Sequence, residues 1–195
     1  VWVVLQFESD ADANVGDGAY VDDIKLTATG TKTILATASQ SGYLRESGLG
    51  TNVANLVKAS TYWAGDTTAK AAYRIILSFN TLNIKPAGAV FKSAKLQVTY
   101  LARAGNSFAS KSLAPFLGVK VLGKKGFFGS TVALQFTDFN VAGTSLGNFP
   151  NLPISDVYTR ALSAVQATTI INITGVTQFR LQFNKKTDLD AISDL

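Results

Sequence analysis

Along most of the chain, apolar and polar positions alternate one by one, the period that sends successive side chains of a strand to opposite faces. Tyr73, Ile75, Leu77 and Phe79 share one face of a strand over residues 73–79. Ala94, Leu96, Val98 and Tyr100 alternate with Lys95, Gln97 and Thr99. Leu117, Val119 and Val121 alternate with Gly118 and Lys120, and Phe179, Leu181 and Phe183 with Gln178, Arg180 and Gln182. This pattern predicts half-buried antiparallel strands with one face on the core and one in water. Lys85-Pro86-Ala87-Gly88 reads as a turn between two of them. The one helical stretch expected is short, over residues 132–139. Strand after strand from Thr33 onward gives an all-β fold, an antiparallel β-sandwich or jelly roll.

Residues 1–7, Val1-Trp2-Val3-Val4-Leu5-Gln6-Phe7, read as a strongly apolar strand. An acidic, Gly-rich loop over residues 8–18 leads to a second strand over residues 19–26. Two strands cannot bury both their faces alone. The segment is therefore expected to pack on another part of the chain or to share a sheet with a neighbour.

Phe7-x-Ser9-Asp10 followed by Asp17-Gly18-Ala19-Tyr20-Val21-Asp22-Asp23-Ile24 resembles the last hairpin of a jelly-roll domain. Domains of that kind follow the catalytic part of secreted immune-inhibitor-A-type metallopeptidases. A second resemblance covers residues 33–195. It runs through Ile34-Leu35-Ala36-Thr37-Ala38-Ser39-Gln40-Ser41-Gly42-Tyr43-Leu44-Arg45-Glu46 and Tyr73-Arg74-Ile75-Ile76-Leu77-Ser78-Phe79. It continues through Gly126-Phe127-Phe128-Gly129, Leu134-Gln135-Phe136-Thr137-Asp138-Phe139 and Thr177-Gln178-Phe179-Arg180-Leu181-Gln182-Phe183. This succession is similar to the DNRLRE, or disaggregatase-related, β-sandwich modules. Those modules are appended to secreted peptidases, glycosidases and surface proteins, and some bind acidic polysaccharides. The chain has Ser41 where the family often has Asp, and it stops at Leu195 where relatives add closing strands. The resemblances imply a jelly-roll hairpin over residues 1–30 and a DNRLRE-like sandwich over residues 31–195, a fold expected to be incomplete at both ends.

Composition narrows the chemistry. Among 195 residues, 47 % are hydrophobic and 16 % charged, enough apolar material for a core. Cys and His are both absent. That removes disulfides, thiolate nucleophiles, His-ligated metals and every triad that needs an imidazole. No run approaches the length of a membrane span. The net charge of +5 is unevenly placed. Glu8, Asp10, Asp12, Asp17, Asp22 and Asp23 crowd the first segment, and Asp188, Asp190 and Asp194 the last. Between them lies a basic middle, with Lys85, Lys92, Lys95, Arg103, Lys111, Lys120, Lys124 and Lys125. A basic face of this kind attracts acidic polymers.

Three candidate chemistries follow. Asp10-x-Asp12-x-Asn14 opens like an oxygen-rich calcium loop, but Val15 and Val21 break the EF-hand pattern. Asp22 shares strand parity with Tyr20, Ile24 and Leu26. If those face a core, its carboxylate needs a cation or several donors. Asp10, Asp12 and Asp22 are therefore the candidate Ca²⁺ ligands, against the alternative of Asx-type turns. Aromatic and basic residues together suggest glycan binding by stacking and charge. The candidates are Tyr62 and Trp63, in a Thr/Gly-rich loop, with Arg74, Lys95 and Arg103. No pair of apposed carboxylates is evident for glycoside hydrolysis, and no serine is marked as activated. No nucleic-acid motif accompanies the positive charge. Asn172-Ile173-Thr174 has the form of a glycosylation sequon, in what the pattern reads as a strand.

The sequence thus suggests a non-catalytic, extracellular accessory module that holds a secreted protein to a cell surface or acidic polysaccharide. The alternative is a structural subunit of an extracellular filament or tube, assembled by sharing strands between copies. The apolar strand over residues 1–7 favours the alternative, because an uncovered strand of this kind invites pairing.

Overall fold

The computed structural model describes residues 30–46, 54–57, 62–101 and 111–185. The chain divides into two units, Val1–Lys32 and Thr33–Leu195, and the fold below belongs to the second. Nine strands are described: β1 (Gly42–Glu46), β2 (Ala54–Val57), β3 (Gly65–Asp66), β4 (Ala72–Asn80), β5 (Ser93–Thr99), β6 (Val119–Lys125), β7 (Thr144–Asn148), β8 (Val157–Ser163) and β9 (Val176–Phe183). One α-helix, α1 (Ala164–Ile170), joins β8 to β9.

The strands form two antiparallel sheets of very unequal width. The larger has the order β2-β1-β4-β9-β6-β7, with β3 added on β4, and the smaller is β5-β8 alone. Tyr73 stands opposite Arg45 of β1 and also opposite Gly65 of β3, so β3 takes the β4 edge that β9 otherwise holds. The predicted parity of β4 and β9 is observed. Ile75 pairs with Leu181 and Leu77 with Phe179, and all four belong to the core between the sheets. Leu96, Leu162, Val119, Val121, Leu146 and Phe116 belong to the same core. The architecture is the all-β sandwich that the alternating pattern predicts.

The opposite face of the larger sheet is covered too. A loop over residues 126–141 crosses it and buries Phe128, Leu134 and Phe139 against Leu44, Ala72, Ile76 and Leu122. The polar face of β9 is therefore not in water, contrary to the half-buried strand expected. Gln178 is fully buried; its Oε1 accepts from the Phe128 backbone N–H at 2.8 Å, and its Nε2 donates to the Val132 carbonyl at 3.2 Å. An unpaired amide would be costly at such a site, so these bonds fix where the loop lies.

Other local expectations change as well. Only Phe136–Phe139 of the expected helical stretch is helical, as a single 3₁₀ turn, with Gln135 and Asp138 closing a capping box. α1 begins at Ser163, whose Oγ accepts from the Gln166 N–H while Gln166 Oε1 accepts from the Ser163 N–H. These reciprocal bonds satisfy two donors that a helix start leaves unpaired. α1 lies close on β6: a Cβ on Gly123 would come within 2.6 Å of Ile170 and 2.9 Å of Leu146. The sequon Asn172-Ile173-Thr174 sits in a turn between α1 and β9, not in a strand. Thr81 Oγ1 ties that turn to the end of β4, within 2.7 Å of the Asn172 carbonyl and 2.8 Å of Thr177 Oγ1. Among the described residues, no helix is long and apolar enough to cross a membrane.

Candidate functional site

Two strands cannot roof a sheet of six in line. β8 lies over the β6-β7 end, where Tyr158 packs on Phe149 with ring centroids 6.1 Å apart and the Arg160 guanidinium lies against Gly147. Among the described residues, the β4 side of the interior stays open. A cleft of about 430 Å³ results, floored by Ile75, Leu77, Phe79, Leu181 and Phe183 of the larger sheet. The segments Ile34-Leu35-Ala36 and Tyr62-Trp63-Ala64 form one wall.

The other wall is β5 and its continuation, Gln97-Val98-Thr99-Tyr100-Leu101. Five consecutive residues include both strand parities, so the cleft runs along the backbone edge of β5 rather than under one face of it. β8 holds the other edge, and among the described residues nothing pairs with this one. At the mouth, Leu35 is 82 % exposed and Leu101 73 % exposed. Two large aliphatic side chains standing in water beside an apolar cleft mark a surface that gains by being covered.

The charge in the cleft is slight and already compensated. Lys111 lines it, forms an ion pair with Asp156, and holds its ammonium 5.3 Å from the centre of the Tyr100 ring. The Tyr158 hydroxyl donates to the Lys111 carbonyl. Burial, with Tyr100 and Asp156 beside it, pushes the Tyr158 phenol up to about 12, so it stays neutral through the physiological range.

A second polar assembly lies on the opposite face of the larger sheet. Arg180 Nη1 donates to the carbonyls of Asp138 at 2.8 Å and Val141 at 2.7 Å. Arg74 donates to the Phe139 carbonyl and, at 2.8 Å, to Asn140 Oδ1. The guanidinium of Arg74 lies 3.9 Å from the centre of the Phe139 ring, and that of Arg180 lies 4.8 Å from the centre of Phe128. Burial and the charge of Arg74 push Arg180 down to about 10. Burial lowers Arg74 as well, opposed by Glu46. Both arginines stitch the 126–141 loop to the sheet, and every donor contact named here goes to the chain itself.

Among the described residues, two of the sequence candidates come together. Tyr62 and Trp63 stand side by side on the cleft wall. Arg74 is on the far face of the same sheet, holding the loop. Lys95 points outward from β5, opposite in parity to the buried Leu96. Arg103 lies outside the described residues, as do Asp10, Asp12 and Asp22. Among the described residues, no three His, Cys, Asp or Glu side chains group together to hold a metal.

No family model, curated protein or solved structure matches the chain.

Function must therefore be argued from the cleft itself. The pattern marks Tyr100 only as a strand position and Lys111 only as one charge of the basic middle, and it does not mark Leu35, Leu101 or Tyr158 as site residues. One signal was legible: Tyr100-Leu101 breaks the alternation of β5 with two consecutive apolar residues just where the cleft opens.

Proposed function

We propose that this chain is a non-catalytic structural subunit of an extracellular assembly, in which each copy's open sandwich is covered by a neighbour. The observation that carries this reading is the apolar cleft along an edge of β5 that, among the described residues, no strand pairs with. Such an edge is a template for an added strand, and native sheets usually cover or charge it. Here it is flanked by exposed Leu35 and Leu101, with no charge pointing into the cleft that Asp156 does not already balance. The resemblance to modules of secreted proteins supports the extracellular setting.

A second reading has its own observation. Tyr62 and Trp63 line the cleft, and aromatic side chains are what a sugar-stacking site uses. The chain would then be an accessory module holding a secreted protein to a cell surface. The apolar floor and the single, already paired lysine fit a neutral or apolar ligand better than an acidic polysaccharide.

Negative-stain electron microscopy together with light scattering over a dilution series separates the two. A structural subunit gives regular filaments or tubes and a mass that falls on dilution. Monodisperse particles of one chain at every concentration overturn the structural reading and leave the binding module.

A further inference from the structure

We infer that Asn172 is a site of N-linked glycosylation, its side-chain amide nitrogen taking a glycan from a lipid-linked oligosaccharide phosphate during export of the chain. The inference rests on the extracellular setting of the proposed function and adds to it a covalent modification at a named atom.

Asn172-Ile173-Thr174 is the one Asn-x-Ser/Thr sequence in the chain. Within a sheet strand it would bring a bulky glycan against packed neighbours. In the turn between α1 and β9, Asn172 is half-buried and Thr174 exposed, a setting that admits one. The main chain of this turn is firmly tied. The Asn172 N–H donates to Thr177 Oγ1 at 2.8 Å, and its carbonyl accepts from Thr81 Oγ1 at 2.7 Å. The N–H groups of Thr81 and Asn83 donate to the carbonyls of Gly175 and Ile173, each at 2.9 Å. The side chain is engaged on one atom only. Asn172 Oδ1 accepts from Thr174 Oγ1 at 2.9 Å and from the Thr174 N–H at 3.3 Å. Its Nδ2 has no hydrogen-bond partner among the described residues. A Cβ on residue 175 would lie 3.2 Å from that nitrogen, so glycine there keeps room beside it.

That division of labour suits the chemistry. Nδ2 attacks the anomeric carbon of the donor. The N–C bond forms as the C–O bond to phosphate breaks, the lipid phosphate departs, and an Nδ2 proton passes to a base of the transferase. The product keeps Oδ1, so both bonds from Thr174 survive and the turn is unchanged by the modification. Asn172 is not among the residues lining the cleft, so a glycan on it is compatible with the proposed assembly.

Trypsin makes the test direct. Cleavage after Arg160 and Arg180 releases residues 161–180, in which Asn172 is the sole asparagine. The full chain is purified separately from the cells that naturally make it and from their surroundings, and its peptides are weighed by mass spectrometry. The expected result is an exported chain whose 161–180 peptide is heavier by a glycan. The increment should be lost completely in Asn172→Gln and in Thr174→Ala, and kept in Thr174→Ser. An exported chain whose 161–180 peptide has its bare mass overturns the inference and leaves the extracellular reading standing. An increment that persists in Asn172→Gln or Thr174→Ala places the group on another residue and overturns the inference as well. A chain found only inside the cells and without the increment overturns the extracellular setting and the inference together.

Discussion

Arg180 meets Asp138 through the backbone and not through the carboxylate. Its Nη1 donates to the Asp138 carbonyl at 2.8 Å, while Asp138 Oδ1 is buried without a hydrogen-bond partner. Oδ2 accepts instead from the Gln135 N–H at 2.9 Å, closing the cap of the 3₁₀ turn. The loop is thus held by a cation that bridges two carbonyls, and the carboxylate beside it is committed to local geometry.

Arg180→Lys should therefore destabilise the fold by about 2 kcal/mol, although it keeps the charge. A single ammonium on a flexible stem cannot reproduce the planar fork, and buried carbonyls lose charge-assisted bonds. Urea unfolding at neutral pH measures this. A change within about 0.5 kcal/mol, the range of ordinary surface substitutions, would show that the bridge contributes little.

Asp138 gives a pH signature of its own. Burial raises its carboxyl above the ordinary value, against the lowering effects of the Gln135 N–H, Arg180 and Lys124. The folded state then binds a proton more readily than the unfolded state, so this group favours folding more as pH falls from neutral toward the unfolded carboxyl range. The stability difference between wild type and Asp138→Asn should shift toward wild type on acidification. A difference that stays constant from pH 7 to pH 4 would show that the Asp138 carboxyl has the same proton affinity in the folded and unfolded states.

Tyr158 acts at the other end of the scale. With its phenol raised to about 12 from 10.0, its contribution is fully present below pH 10 and is lost as pH rises through about 12. Tyr158→Phe should be less stable at neutral pH by about 1 kcal/mol for the lost hydrogen bond to the Lys111 carbonyl. Its alkaline unfolding should lack the wild-type step in that window. Spectrophotometric titration of the phenolate follows the same event directly.

Gly123→Ala should cost about 1–3 kcal/mol, because its methyl would enter the space of Ile170 and Leu146. Adding Leu146→Val should recover part of the loss, since it removes Leu146 Cδ1, which the new methyl would meet at 2.9 Å. Thermal melts of the single and double variants decide this. A double variant no better than the single would mean that α1 itself has moved off β6.

Leu35→Asp and Leu101→Asp separate assembly from folding. Both side chains are exposed, so either change should leave monomer stability within about 0.5 kcal/mol. Both should reduce assembly sharply by placing a charge at the mouth of the cleft. Undiminished particle mass in light scattering would show that this surface is not the one covered.

The strands were legible where one rule governed them. β5 alternates because one of its faces meets a core, and its period gives the correct parity; β4 shows the correct parity as well, although Ile76 and Ser78 on its other face are buried too. β9 alternates as well, but its polar set faces protein: Gln178 and Arg180 are buried under a loop whose path no local pattern discloses. α1 carried a readable start, Ser163-Ala164-Val165-Gln166, yet Val165, Thr168, Thr169 and Ile170 are β-branched and masked it. Tyr62 and Trp63 stood out as aromatics in a small-residue loop and do reach the cleft. Arg74 looked equally available, but its guanidinium serves the 126–141 loop, a partner 65 residues away in sequence. The cleft itself arises from the unequal widths of two sheets, which is a property of strand pairing and leaves no mark in any single segment.

β9 sits between β4 and β6 and contributes to both buried layers. It is also the last of the described strands to leave the ribosome. Until residue 183 has emerged, β4 and β6 have no common neighbour, and the loop over residues 126–141 has neither Gln178 nor Arg180 to fasten it. Most pairings that define the larger sheet join residues far apart in sequence, which slows folding and prolongs the exposure of unpaired edges. Synthesis of this chain therefore passes through a long interval with the middle of the sheet missing, ended in one step by the arrival of a single strand.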